Sequence, residues 1–181
     1  MRTFLDRLHD LKVKEVAQRQ IKVSEKSLSE QAETLGVAPD FRTNLMREPD
    51  APISLITEVK SKAPGRNNVE RLDPEAVVCD YEAGGAKAIS VLTDENWFGG
   101  SLETLEKVHA ATTLPLLHKE FIITPYQLLE GRVRGASAAL ILAYYFQETK
   151  LREIIAEAKM IGVEAVVECS LENELPRGLA V

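Results

Sequence analysis

Five short runs of β-branched and aliphatic residues, at 53–59, 88–92, 114–117, 138–142 and 163–167, constrain the fold of this chain more than anything else in it. They are near-continuously apolar, as strands buried on both faces must be. Between them lie four stretches with helical spacing, at 74–83, 102–111, 125–134 and 148–161. Pro74 and Pro125 open two of these, at a position where the missing N–H costs little. Gly84, Gly135 and Gly162 follow three of them, as helix-terminating signals. Strand, loop, helix and turn repeat every 25–35 residues, roughly, which is the pattern of a βα array with a parallel sheet.

Upstream of the array, Phe4, Leu5, Leu8, Leu11 and Val16 recur near helical spacing with charges between them. That amphipathic helix needs a surface to cover. Residues 24–50 are polar, carry Pro39 and Pro49, and read as a lead-in with weak helical signal. The organisation expected is an N-terminal helical extension over 1–50 and a βα unit over 51–181. A net charge of −6 argues against nucleic acid or an anionic membrane as partner, but a small anionic ligand needs only a local cationic pocket. Cys79 and Cys169 are far apart and in no C-x-x-C pattern, so reduced thiols are expected and neither a zinc site nor a disulfide framework. Charges interrupt the N-terminus and no apolar run reaches spanning length, which predicts a cytoplasmic protein with no membrane partner.

Five units are fewer than a closed (β/α)8 TIM barrel contains, which takes about 250 residues. Two architectures remain open. One is an incomplete TIM barrel comprising the helical extension and strands one to five with their helices. The other is a five-stranded, doubly wound, flavodoxin-like binding domain. Strand order separates them: sequential in the first, reversed part-way in the second.

In a parallel array, chemistry belongs at the C-terminal ends of the strands. Charged residues sit there. Glu58-Val59-Lys60 ends the first run, Asp94 and Glu95 follow the second, Lys119 and Glu120 end the third, and Glu168 ends the fifth. Alternation puts Glu58 and Lys60 on one side of a strand, an acid and a base together, which suits proton transfer. By itself that pair also fits a solvated strand end. A lysine closing an apolar strand, as Lys119 does, is costly to desolvate without a partner, and Glu168 could hold it or act as a base. Four such residues at the strand ends of one array point to a single acid–base site. His9, His109 and His118 show no ligand spacing and read as surface or satisfied core residues. Tyr144-Tyr145-Phe146 reads as a packing cluster, and Trp97-Phe98 as apolar bulk in a loop that could line a pocket.

The run Ser90-Val91-Leu92-Thr93-Asp94-Glu95-Asn96-Trp97-Phe98-Gly99-Gly100-Ser101-Leu102 resembles the second βα loop of indole-3-glycerol-phosphate synthases. Leu114-Pro115-Leu116-Leu117-His118-Lys119-Glu120-Phe121 resembles the third, and Glu58-Val59-Lys60, Asp73-Pro74, Phe41-Arg42 and Val166-Val167-Glu168 fall in register. The resemblance covers essentially the whole chain. It implies a TIM-barrel lyase of tryptophan biosynthesis that closes the indole ring of a carboxyphenylamino-deoxyribulose 5-phosphate, losing carbon dioxide and water, with no metal or organic cofactor. It implies that Lys119 is the general acid for ring closure, that Glu168 is the carboxylate near it, and that Lys60 and Glu58 assist later proton transfers including dehydration. Phe98, Phe121 and Leu140 fall where the family lines the apolar pocket around the anthranilate ring.

The sequence departs from the family in three places. The loop Ser61-Lys62-Ala63-Pro64-Gly65 lacks two serines, with Ala63 and Gly65 in their stead. His118 and Glu120 replace the commoner arginine and aspartate. The family's sixth to eighth strands, whose loops hold the substrate phosphate, have no counterpart up to Val181. A chain of this extent is expected to be weakly active or inactive alone, or to act as a non-catalytic oligomerising fragment. Its exposed barrel edges predict a homo-oligomer.

Overall fold

The computed structural model describes residues 3–62 and 73–181. The first helix, α1 (Phe4–Lys22), begins at a capping box: the Thr3 hydroxyl accepts from Asp6 N and Thr3 N donates to the Asp6 carboxylate. The polar lead-in contains two helices that its composition concealed, α2 (Glu25–Glu33) and α3 (Phe41–Leu45). Each buries a single side chain, Leu28 and Phe41, so neither shows the repeated apolar positions by which a helix is read from sequence.

The array then runs β1 (Leu55–Val59), α4 (Pro74–Ala83), β2 (Ala86–Leu92), a short α5 (Glu95–Phe98), α6 (Leu102–Ala111), β3 (Leu116–Lys119), α7 (Pro125–Val133), β4 (Ala138–Leu142), α8 (Glu148–Ile161), β5 (Glu164–Glu168) and α9 (Leu175–Leu179). Every strand pairing is parallel, and the sheet order is β1-β2-β3-β4-β5. The order never reverses, so the flavodoxin-like alternative is excluded and the sheet is that of a partial (β/α) barrel. One helix stop differs from expectation. Gly84 is right-handed at φ −75°, and the left-handed residue that turns the chain is Gly85 at φ +84°.

The alternation of strand side chains builds two faces. Val59, Ile89, Val91, Leu116 and Ile141 pack under α4, α6, α7 and α8, forming the main core. Ala88, Leu117, Ala138, Leu140, Leu142 and Val166 point to the opposite, inner face. At the N-terminal ends of the strands that face is plugged by α3. Glu164, the first residue of β5, accepts from Phe41 N at 2.7 Å and Arg42 N at 3.2 Å, and Asn44 bonds the Lys87 carbonyl. A carboxylate from the sheet thus holds the start of a five-residue helix in place. At the other end, α1 lies over the C-terminal ends of β2 to β4: Phe4 meets Trp97 edge-on at 4.8 Å, and the Tyr144 hydroxyl bonds Thr3 and Asp6. Among the described residues no helix is long and apolar enough to cross a membrane.

Candidate active site

Between the floor made by the inner-face side chains and the C-terminal strand ends is a cavity of about 310 Å³. Glu58, Lys119, Glu168, Phe98, Phe121 and Leu140 line it, one or two from each of the five βα units. Parity explains the convergence. Glu58, Lys119, Leu140 and Glu168 share the inner-face phase of their strands, and pairing in register brings the strand ends level: Glu58 opposite Ser90, Leu92 opposite Lys119, Leu142 opposite Glu168. Phe98 and Phe121 enter from the β2 and β3 loops with ring centroids 6.1 Å apart. Leu92 and Leu142 complete an apolar floor.

Lys60 stands at the rim. It is half exposed and absent from the cavity lining, and it reaches the site through its ammonium, which donates to Glu58 Oε1 at 2.7 Å. The Glu58 carbonyl accepts from the Tyr81 hydroxyl at 2.8 Å, which ties the end of β1 to α4. Glu168 accepts from Ser170 Oγ at 3.1 Å. Lys119 forms no ion pair with Glu168 or with any other described residue, so its ammonium is available to an occupant of the cavity. Of the two altered serine positions, Ala63 and Gly65, both lie outside the described residues.

Behind the cavity wall lies a cluster that sequence reasoning did not find. Lys12 of α1 is 1% exposed, with its Nζ 2.7 Å from Asp94 Oδ2, 2.8 Å from Glu15 Oε2 and 3.1 Å from Glu120 Oε1. Burial pulls its pKa down, but Glu120, Asp94 and Glu15 more than offset that and hold it above the ordinary lysine value. Burial pushes Glu120 up from the usual carboxylate range, against the pull of Lys12. Thr93 Oγ1 donates to Glu120 Oε2 at 3.2 Å and lies 2.9 Å from His118 Nε2. Since the hydroxyl's one proton goes to Glu120, His118 donates its Nε2–H to Thr93. Burial, with Arg19, Arg134 and Lys12 nearby, pushes His118 down to about 3, so this histidine is neutral and structural. No local signal marked Lys12 as buried, because two of its three partners, Asp94 and Glu120, come from distant loops.

A second cavity, of about 390 Å³, lies on the other side of this cluster between α1 and α6–α7. Lys12, Glu15, Arg19, Glu120, Glu130 and Arg134 are among its walls. Many of its charges are already paired with one another, Arg19 with Glu130 at 2.8 Å and Lys12 with Glu15 and Glu120 among them. The smaller cavity is the better candidate, because it joins an apolar floor to unsatisfied charge at the C-terminal mouth of a parallel sheet.

The chain matches the indole-3-glycerol phosphate synthase family over residues 5–181. The chain belongs to that family. It is 40% identical over 176 residues to the indole-3-glycerol phosphate synthase of Streptomyces griseus, covering 97% of this chain and 64% of the relative. It is 38% identical to indole-3-glycerol phosphate synthase 1 of Streptomyces coelicolor, with the same coverage. A Roseiflexus synthase is 38% identical over 186 residues, 99% of this chain and 68% of its own length. The chain therefore spans about two thirds of the length of the synthases it matches, and the TIM barrel of the family accounts for its five in-order parallel strands.

Proposed function

We propose that this site closes the indole ring of 1-(2-carboxyphenylamino)-1-deoxyribulose 5-phosphate, with loss of carbon dioxide and water, as part of a cytoplasmic enzyme of tryptophan biosynthesis. The observation that carries the reading is one cavity whose apolar floor meets Glu58, Lys119 and Glu168, ionisable walls that come from strand ends of the same sheet. An anthranilate ring fits against Phe98, Phe121, Leu140, Leu92 and Leu142 and excludes water there. The Lys119 ammonium, with no carboxylate partner among the described residues, is the donor for the ketone oxygen as the ring carbon attacks it. The new C–C bond makes that oxygen a hydroxyl. The carboxylate on the attacking ring carbon then leaves as carbon dioxide, and its bonding pair restores the aromatic ring. Dehydration remains. The hydroxyl leaves as water with a proton from the Glu58–Lys60 pair, and the carbon next to nitrogen loses its proton to a carboxylate, for which Glu168 is the candidate.

The test is indole fluorescence after adding the carboxyphenylamino-deoxyribulose phosphate to the purified chain. The expected result is weak indole formation that Lys119→Ala lowers by about a hundredfold or more, the size of losing a positioned general acid. Wild-type protein without turnover, or a Lys119→Ala variant with undiminished turnover, would remove the proposal. A second reading, an assembly role through self-association, draws support from the apolar exposure of Leu55 and Ile56 on the outer strand β1.

A further inference from the structure

The N-terminal helix contributes nothing to the cavity lining, yet its one buried lysine contacts both loops that shape the cavity. Asp94 accepts Trp97 N at 2.6 Å and Phe98 N at 3.2 Å through Oδ1, which starts α5, and turns its other oxygen to Lys12. Glu120 accepts Phe121 N at 2.7 Å and turns to Lys12 as well. Phe98 and Phe121 are the two aromatic walls, and Lys119 is the residue before Glu120. Glu120 also lines both cavities, so it is the partition between them. Fastening a helix does not require this arrangement. Apolar packing would do so without desolvating one ammonium and two carboxylates.

We infer that Lys12 is a positioning residue of the site: its ammonium clamps Asp94 and Glu120 and thereby sets the β2 and β3 loops so that Phe98, Phe121 and Lys119 converge on one ligand. The inference rests on the lyase reading for its catalytic consequence and on geometry alone for the clamp. Misplacing reacting groups by about 1 Å costs on the order of a hundredfold in rate. The loss should fall on kcat more than on KM, because the apolar floor from β2 and β4 is untouched.

Trp97 is the only tryptophan and sits on α5 against Phe4 of α1, so its emission reads the clamp without any ligand. The experiment compares Lys12→Met, Asp94→Asn and the double variant with the wild type, and takes the exposed Lys150→Met as control. Asparagine keeps the α5 cap and removes only the charge facing Lys12. The expected result is a red shift of Trp97 emission in each clamp variant and a loss of kcat of about ten- to a hundredfold with a smaller change in KM. The double variant should be no worse than the worse single one, since the two residues act as a unit. Lys150→Met should change neither. If Lys12→Met does not fold, Asp94→Asn decides. Folded clamp variants with wild-type kcat overturn the inference, whether or not the emission moves, because the cluster would then merely fasten α1. If the wild type makes no indole, the lyase reading falls by itself, and the clamp is judged on Trp97, with unshifted emission overturning it.

Discussion

His118 carries a pH signature that its position dictates. Fully buried, it holds its pKa near 3, well below the ordinary 6.5. Above pH 6.5 it is neutral in both folded and unfolded chains, and its contribution to stability is fully present. As pH falls below 6.5 the unfolded chain takes up a proton that the folded one refuses until about pH 3, so stability is lost at about 1.4 kcal/mol per pH unit. Glu120 acts in the opposite sense. Its folded pKa is raised, so its contribution is present at low pH and lost as pH rises through that value, which softens the acid limb. Urea unfolding between pH 4 and 8 should therefore show a steeper acid decline in the wild type than in His118→Gln, whose amide can still donate to Thr93. Equal slopes in the two proteins would mean that His118 does not titrate as its burial requires.

The element that most depends on this histidine is α7. Gly131 lies in its interior, where alanine ordinarily gains about 1 kcal/mol through helix propensity. Here a Cβ would run into His118 Nδ1 and sit 3.0 Å from Cγ, and the buried ring, held by Thr93, has nowhere to go. Overpacking costs about 1–3 kcal/mol, so Gly131→Ala should lower the melting temperature by several degrees despite the better propensity. A variant more stable than wild type would show that propensity wins and that the His118 ring can yield to a Cβ at position 131. The legibility of the elements follows the same division between local and tertiary causes. All five strands and α4, α6, α7 and α8 could be read from apolar runs, prolines and glycines, with every boundary off by two residues or fewer. The strand-end residues Glu58, Lys119 and Glu168 were legible because a two-residue period needs no distant partner. The contacts that α2, α3 and Lys12 depend upon were not legible: Leu28 packs against Tyr126 and Leu129, Phe41 is held by Glu164, and Lys12 answers to Asp94 and Glu120. Each is a contact between segments that the sequence keeps far apart.

At the scale of the molecule, the sheet has two outer strands. Among the described residues β1 pairs only with β2, and β5 only with β4. The central strands are buried almost throughout, whereas Leu55 and Ile56 on β1 are about half exposed, at 49% and 47%, beside Ile53 at 76%. On the opposite side, Leu171, Leu175 and Leu179 are exposed as well. Unpaired backbone flanked by apolar side chains is a template for another strand. Burial of apolar area, at about 25 cal/mol per Å², favours its coverage by a second copy when the chain of 181 residues is prepared alone. Sedimentation at micromolar concentration should then give a dimer or larger species. The double substitution Leu55→Lys and Ile56→Lys should lower the mass, since lysine on an edge strand resists pairing, while Lys119 and the cavity floor stay untouched. A wild type that sediments as a monomer would dispose of the self-association reading. A lysine variant that keeps the full oligomer mass would instead move the contact away from β1, toward the outer side of β5.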